Sequence, residues 1–586
     1  MGEPTRGPGP NPQRFAGGHR GSVPCARDTP GAPELVARDP DGTEPAARGD
    51  ARRGLGRSTA AMTLGTIISR STGVVRLAVL AATLGVAETR FTDSYNLANS
   101  APNILYELVL GGLITAVFVP VFVELLDKEE PDRAWRDLSG IINWSLLILA
   151  VIAIGGVLAA PWIANFYASR LGGEVGAEQQ RVITFLLRLF IPQVVLYGIY
   201  FMGSALLNAH RRFALPMFTP ILNNLVLIAV LVVFNQRYGL VDIASVSTPQ
   251  LLLLGLGTTA SVAPMGLALL PAVRGLGGYR LTLSVDRGIV RKLVTLSVYI
   301  GGTIAANQVG YVVMQWLANA RQGGFTAYVA AFTFFLLPIG LVVWSLTTAL
   351  APSLSRSAIA EEWGAFKDDL SIGLRATLFL MLPATAGFLI LGSPLVEAFL
   401  EHGVVTAAST ELIVGVLTFL VLGLVQFSLF QILVRAFYSM QNGRTPFLIN
   451  CAVIGLNISI NIPMYGWLGV KGLAAGHAVA YTVGVVLLLR ALSGRIGDLG
   501  ISGLIAGALR IGLATLLMSA VVWGVAEGAE ALLGDGGTLS SVVTVAAATV
   551  AGVLTYLVAA AALKVEEMSF VKNLVGRRGG RGAQEA

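Results

Sequence analysis

Arg70 and Arg76 stand six residues apart inside an apolar stretch of membrane length, Asp93 opens the next such stretch, and Glu107 lies within it. A charged side chain near the centre of a bilayer costs about 2.5 to 3.5 kcal/mol on insertion scales, so such groups face a protein interior or a water-filled cavity. A guanidinium stays protonated and presents paired, coplanar donors, which suits it to gripping phosphate oxygens. The four residues point to a charged, predominantly basic hollow. Six residues turn a straight helix through about 240°, so both arginines face one hollow only if the helix bends. Ser71, Thr72 and Gly73 between them permit a bend. The competing reading has Arg70 snorkelling to the membrane surface and Arg76 paired with Asp93 or Glu107 as internal glue.

Uncharged polar residues extend the candidate site. Asn96, Asn99 and Asn103 recur at spacings of three and four on one face of the second helix. They can line the hollow and bond a polar headgroup, or hydrogen-bond to neighbouring helices. Asn307, Gln308 and Gln315 give the seventh helix a polar stripe, the natural opposite wall. Arg188 and Arg435 read as near-interface residues. His210, His402 and His477 are scattered, and neither an HExxH helix nor a metal-ligand spacing is present, so no metal or cofactor is expected. No GxxxxGK[ST] segment supports ATP hydrolysis.

The elements that must hold these residues are helices in a membrane. Of 586 residues, 54% are hydrophobic and 13% charged, and the mean hydropathy is +0.71, which excludes a soluble domain. The expected fold is all-α and polytopic, with about fourteen spans. They lie near 60–86, 94–125, 140–166, 182–209, 216–234, 250–272, 293–320, 325–352, 370–392, 411–440, 446–464, 472–490, 505–526 and 538–563. With the N-terminus inside, the inside loops hold 16 Lys and Arg, while the outside loops hold six: Arg90, Arg170, Arg181, Arg237, Arg321 and Lys471. The net charge of +7 is then mostly an orientation signal and requires no nucleic-acid partner. Residues 1–57 contain nine Pro, eleven Gly and nine Arg, a composition expected to stay disordered, and they lack the apolar h-region of a signal peptide. Translation can also begin at Met62. Cys25 in that tail and Cys451 in a span suggest no disulfide.

An internal echo organises the spans. Phe91-Thr92 and Phe325-Thr326 each open a long helix, followed by Pro102 and Pro338, Thr115-Ala116 and Thr348-Ala349, then Pro120 and Pro352. The loops HRRFALP (210–216) and QNGRTP (441–446) also correspond, and the offset stays near 230 to 236 residues. Six helices separate the copies, so two halves of equal orientation are expected, related by an axis along the membrane normal. The expected domains are a basic cytoplasmic tail (1–57), an N-terminal six-helix lobe (58–275), a C-terminal six-helix lobe (276–495), two further spans (496–565) and a short cytoplasmic tail (566–586).

Five stretches carry a family likeness: SRSTGVVRLAVLAATLG (69–85), TDSYNLANSAPN (92–103), LLNAHRRFALPMFTPILNN (206–224), FLEHGVVTAAST (399–410) and VRAFYSMQNGRTP (434–446). Together they resemble the MurJ/MviN lipid II flippases of peptidoglycan synthesis, within the multidrug/oligosaccharidyl-lipid/polysaccharide exporter superfamily, over residues 60 to 565. The resemblance implies two six-helix lobes plus two C-terminal helices in a bacterial plasma membrane, with both termini cytoplasmic. It also implies lipid II as substrate, membrane lipids around it, and cell-wall synthesis and division proteins as partners. Arg70 and Arg76 match arginines of the family's first helix, and Asp93 matches the acid that begins its second. Three departures bear on a full arginine cluster and on sodium coupling. Tyr106-Glu107 stands where relatives carry basic residues soon after the Pro-Asn pair, Phe332-Thr333 where many have Asp-Arg, and Met314 where an acid of the seventh helix can contribute to a sodium site.

Lipid II joins a pyrophosphate to a lipid tail and a sugar-pentapeptide head, so its passage needs cationic donors shielded from hydrocarbon. The expected mechanism is alternating access, with the tail left in the membrane at a lateral opening and a membrane potential or ion gradient as drive. Two other classes remain: a drug or cation exporter, which wants an acidic cavity, and a polyprenyl-linked glycosyltransferase, which wants a carboxylate-bearing outer loop. A transport-dead scaffold for wall-synthesis enzymes is a third alternative.

Overall fold

The structure, a computed structural model, describes residues 65, 68–110, 118–128, 130–534 and 537–568. The segment 1–57, Met62, residues 569–586 of the closing tail and positions Gly111, Gly112, Thr115 and Ala116 lie outside them. Among the described residues the chain is helical and contains no strand. In lipid every backbone donor must be satisfied within the protein, and a continuous apolar run of about 20 residues does this by intrahelical bonding.

The first half comprises α1 (68–84), α2 (Arg90–Leu110), α3 (Val119–Lys128), α4 (Pro131–Ala168), α5 (Gly173–Phe190), α6 (Gln193–Ala209), α7 (Ala214–Tyr238), α8 (Thr248–Leu267) and the short α9 (Leu270–Arg274). The second comprises α10 (Arg287–Ala318), α11 (Gly324–Pro338), α12 (Trp344–Ile359), α13 (Trp363–Leu400), α14 (Ala407–Val421), α15 (Leu424–Ser439), α16 (Arg444–Leu468) and α17 (Val470–Ile496). Then follow α18 (Ile501–Leu533) and α19 (Thr538–Ala562). Among the described residues, ten helical stretches are long and apolar enough to cross a membrane, or eleven if α14 and α15, bent by 47°, make one span. The expected count of fourteen is therefore not reached by this measure. The three remaining candidates are helical as α1, α2 with α3, and α10. They are also the three that carry the polar residues singled out above.

Local sequence accounts for the irregular joints. Pro338 ends α11, and a π-helical turn, Ile339–Val343, closed by Trp344 N donating to the Ile339 carbonyl, leads into α12. The same turns are built twice, 230 residues apart. Arg211 and Gln441 have φ of 58° and 55°, and the next residues, Arg212 and Asn442, donate backbone N–H to Leu207 and Phe437. Gly239 and Gly469, with φ of 62° and 60°, end α7 and α16 in the left-handed region that favours glycine.

Packing divides the apolar side chains into two cores. The larger runs through α1 to α17, and the smaller joins Phe379 and Leu391 of α13 to Ile511, Met518 and Val522 of α18 and Tyr556 of α19. The Tyr556 hydroxyl donates to the Phe379 carbonyl at 2.6 Å. Outward positions such as Val151, Ile154, Leu158 and Trp162 of α4 are exposed and apolar, as a lipid-facing surface requires.

Candidate substrate cavity

Two adjoining hollows of about 360 and 380 Å³ lie among α1, α2, α10 and α11. Asn103, Tyr311, Val329 and Thr333 line both, so they form a common wall. Arg70, Arg76, Asn96, Asn99 and Asn103 all face the first hollow. Glu107, Asn307, Gln308 and Asn103 face the second. Eight of the ten residues expected from sequence are thereby brought together.

Both arginines reach the hollow from an uninterrupted helix. The lining positions of α1 (70, 73, 74, 76, 77 and 80) spread over an arc of about 160° at 100° per residue, so no bend is needed to include both. Asn224 of α7 holds this stretch, donating to Thr72 Oγ1 at 2.9 Å and to the Ser69 carbonyl at 3.3 Å. No ion pair joins Arg70 or Arg76 to an acid among the described residues. Both guanidinium groups are therefore available to an anion.

Arg70 sits at the seam between α1 and the π-helical turn, its guanidinium carbon 4.8 Å from the centre of the Trp344 ring. A Cβ at Gly340 would collide with that guanidinium. Because the obstacle is the end of a flexible side chain, Gly340→Ala should leave the thermal midpoint within about 2 °C of wild type while displacing Arg70 and weakening anion binding in the hollow. A drop of many degrees with anion binding unchanged would refute this reading of the contact.

Asp93 and Gln315 line neither hollow. Asp93 is fully buried and accepts from Gly323 N at 2.7 Å, Thr326 N at 2.9 Å and Thr326 Oγ1 at 2.7 Å. It therefore caps the N-terminus of α11 from another helix, where unpaired backbone donors and the helix dipole favour an anion. This removes Asp93 as a partner for Arg76. Gln315 accepts from Tyr167 at 2.6 Å and donates to Ser100 at 2.8 Å, tying three helices together. Asn96 combines both alternatives, lining the hollow while donating to Thr326 Oγ1 at 3.1 Å. Asn307 accepts from Asn450 at 3.0 Å.

The positions that depart from the resembled family are filled by packing groups. Tyr106 stacks on Phe201 with centroids 4.9 Å apart and lies 5.2 Å from Tyr197. Met314 and Phe332 line the second hollow, and Thr333 lines both. His477, unassigned by sequence reasoning, lines the second hollow beside Asn457, inside a box of Phe332, Phe335, Phe427 and Tyr481.

One end of the bundle is fastened by residues that sequence reasoning missed. Arg90 donates to the Asn319 carbonyl at 3.1 Å, and Gln322 donates to the Ala87 carbonyl at 2.8 Å. Glu88, in the loop before α2, accepts from Thr406 N, Thr406 Oγ1 and Ser409 Oγ in the loop and first turn of α14. For Arg90 and Gln322, whose partners lie 229 and 235 residues away, the sequence signal was the echo of that offset; Glu88, bonded 318 to 321 residues away, had none.

Glu88 lies outside the spans, and its carboxyl sits below the ordinary glutamate value of 4.5. Burial alone would raise it, but the hydrogen bonds from Ser409, Thr406 and Val86 outweigh that effect. A depressed acid stabilises the joined state above its ordinary pKa and loses that stabilisation as pH falls through the lowered value. Below pH 4.5 this fastening should loosen. Distance measurements between labels on the two loops should show wild type opening on acidification and Glu88→Gln already loosened at neutral pH; a Glu88→Gln protein indistinguishable from wild type would refute it.

Membrane-crossing helices around a basic, amide-lined hollow closed at one end make this a multi-pass membrane transporter. The fold is shared with a structure of lipid II flippase MurJ in an inward closed conformation (TM-score 0.69, 22% identity, 88% of this chain and 99% of that one). It is also shared with an inward-facing multidrug resistance MATE family transporter of the MOP superfamily (TM-score 0.61, 13% identity, 74% and 98%). The family model described as lipid II flippase MurJ matches residues 80–565, and the chain belongs to that family. Similar relatives are a lipid II flippase MurJ of Burkholderia cenocepacia, 27% identical over 442 residues (73% of this chain, 82% of the relative), and a probable lipid II flippase MurJ of Rhizobium meliloti, 26% identical over 434 residues (73% and 78%). The family match begins beyond Arg70 and Arg76, so their assignment rests on the first-helix motif and the cavity geometry.

Proposed function

We propose that this transporter moves lipid II from the cytoplasmic to the outer leaflet of a bacterial plasma membrane, with Arg70 and Arg76 holding the pyrophosphate. The observation that carries this reading is the pair of guanidinium groups without carboxylate partners in a hollow walled by Asn96, Asn99 and Asn103. Arginines serve phosphate as paired donors, and the amides and Glu107 across the shared wall suit the hydroxyl- and amide-rich head. A cation exporter would be poorly served by the same hollow.

The Lys and Arg distribution puts the N-terminus and the α6–α7 and α15–α16 loops in the cytoplasm. The fastened end then lies at the outer face, and the described state is closed to the outside. Transport proceeds by rocking the 58–275 and 276–495 lobes about the α2–α11 contact. The seam between α1 and the π-helical turn, where Arg70 meets Trp344, is where the lipid tail leaves sideways once the lobes part. Unfastening Glu88, Arg90 and Gln322 releases the head outward.

Leaflet exchange of labelled lipid II in proteoliposomes tests the reading. Exchange that depends on the protein is the expected result. Transport of small organic cations with no lipid movement would overturn it in favour of a drug exporter.

A further inference from the structure

A third hollow, of about 140 Å³, lies away from the substrate cavity, where the start of α18 and the segment after α19 meet α13. Arg375, Arg510, Glu566 and Glu567 supply its charges, two of each sign. Both acids stand within ion-pair range of Arg375, but the set is incompletely hydrogen-bonded. Arg375 bonds Glu566, which is largely exposed. Glu567 has a side chain only 5% exposed, stands 4.0 Å from the Arg375 guanidinium, and its Oε1 has no hydrogen-bond partner. Arg375 Nε is likewise buried without an acceptor. Arg510 is exposed at the rim and pairs with no acid among the described residues. Holding a carboxylate oxygen out of solvent with no donor is expensive, so the geometry calls for a group that brings a cationic donor to Glu567 and an anion to Arg510.

The surroundings decide what kind of molecule that is. On the flank of α18 beside the hollow, about 115° round the helix from its lining residues, Ile505, Leu509, Leu513 and Leu516 follow one another at spacings of four, four and three, and each is about half or more exposed. They make a continuous apolar stripe leading away from the charged pocket along α18. A single ligand matching all three features has a phosphate, a primary ammonium a few ångströms from it, and acyl chains. We propose that this hollow binds the headgroup of a phosphatidylethanolamine, with the ammonium donating to Glu567, the phosphate accepting from Arg510 and the free Nε of Arg375, and a chain lying on the α18 stripe. The site is separate from the lipid II hollow and fastens α18 and α19 to α13 through a lipid that is not transported.

The test is native mass spectrometry of the full-length protein, delipidated in detergent and offered equimolar phosphatidylethanolamine, phosphatidylcholine and phosphatidylglycerol. Phosphatidylcholine keeps the phosphate but carries no N–H, so wild type should retain phosphatidylethanolamine over it by roughly tenfold, as the loss of a charge-assisted hydrogen bond predicts. Glu567→Gln should abolish that preference, and Arg510→Gln, at an exposed position that leaves folding intact, should weaken retention of both lipids together. Soluble glycerophosphoethanolamine should bind far more weakly than the lipid. Equal retention of the three lipids by wild type, an undiminished preference in Glu567→Gln, unchanged retention in Arg510→Gln, or equally tight binding of the soluble headgroup would each overturn the proposal.

Discussion

Arg76→Ala should lower the rate of lipid II leaflet exchange by about 10- to 100-fold, the loss of one charge-assisted hydrogen bond worth about 1.5 to 3 kcal/mol. Arg76 faces the hollow and has no acid to release, so the variant should insert, fold and melt as wild type does. Arg76→Lys keeps the charge but not the fork of donors, and should fall between the two. Arg70→Ala should behave similarly, with some added loss from its contact with Trp344. If the two arginines grip one pyrophosphate, the double variant should lose less than the sum of the single effects, because the second removal acts on a substrate already poorly held. Single-turnover exchange at saturating lipid II separates grip from movement. Wild-type exchange by the double variant would sink the phosphate-holding assignment outright.

The legible part of this molecule follows from what lipid forbids. Apolar runs of about 20 residues bounded by charge locate the helices because a single run of that length satisfies its own backbone in hydrocarbon only as a helix, and buried charge marks either a cavity or an internal partner. That reasoning brought Arg70, Arg76 and the three asparagines of α2 to one hollow. It could not separate two fates of a buried polar group. Asp93 and Gln315 carry the same signal as Glu107, yet they bond protein partners 230 and 215 residues away in sequence, and no local pattern announces such partners. Glu88 went unseen for the opposite reason: a carboxylate in a loop between spans is ordinary until its three donors from the α14 side are known. The π-helical turn after Pro338 was equally hidden, since proline forecasts a disturbance but not its form.

Asp93 carries the second large effect, and on stability rather than on grip. Its two oxygens accept from Gly323 N, Thr326 N and Thr326 Oγ1 in a fully buried place, so Asp93→Ala strands two backbone donors of α11 and removes the anion at that helix's positive end. Unsatisfied buried donors cost about 1 to 3 kcal/mol apiece, which puts the expected destabilisation at about 3 to 5 kcal/mol. Thr326→Val removes one of the three bonds and should cost only about 1 kcal/mol. In the Asp93→Ala background that second change should cost almost nothing, because the hydroxyl has already lost its acceptor. The same bonds hold α2 against α11 next to the fastening residues, so Asp93→Ala should also raise the open population reported by labels on the 85–89 and 401–406 loops. Thermal melts of the four proteins in one detergent measure the first effect, and label distances the second. Additive losses in the cycle would show that Asp93 and Thr326 act separately. An Asp93→Ala protein as stable and as closed as wild type would mean that the cap on α11 is not what joins the two halves.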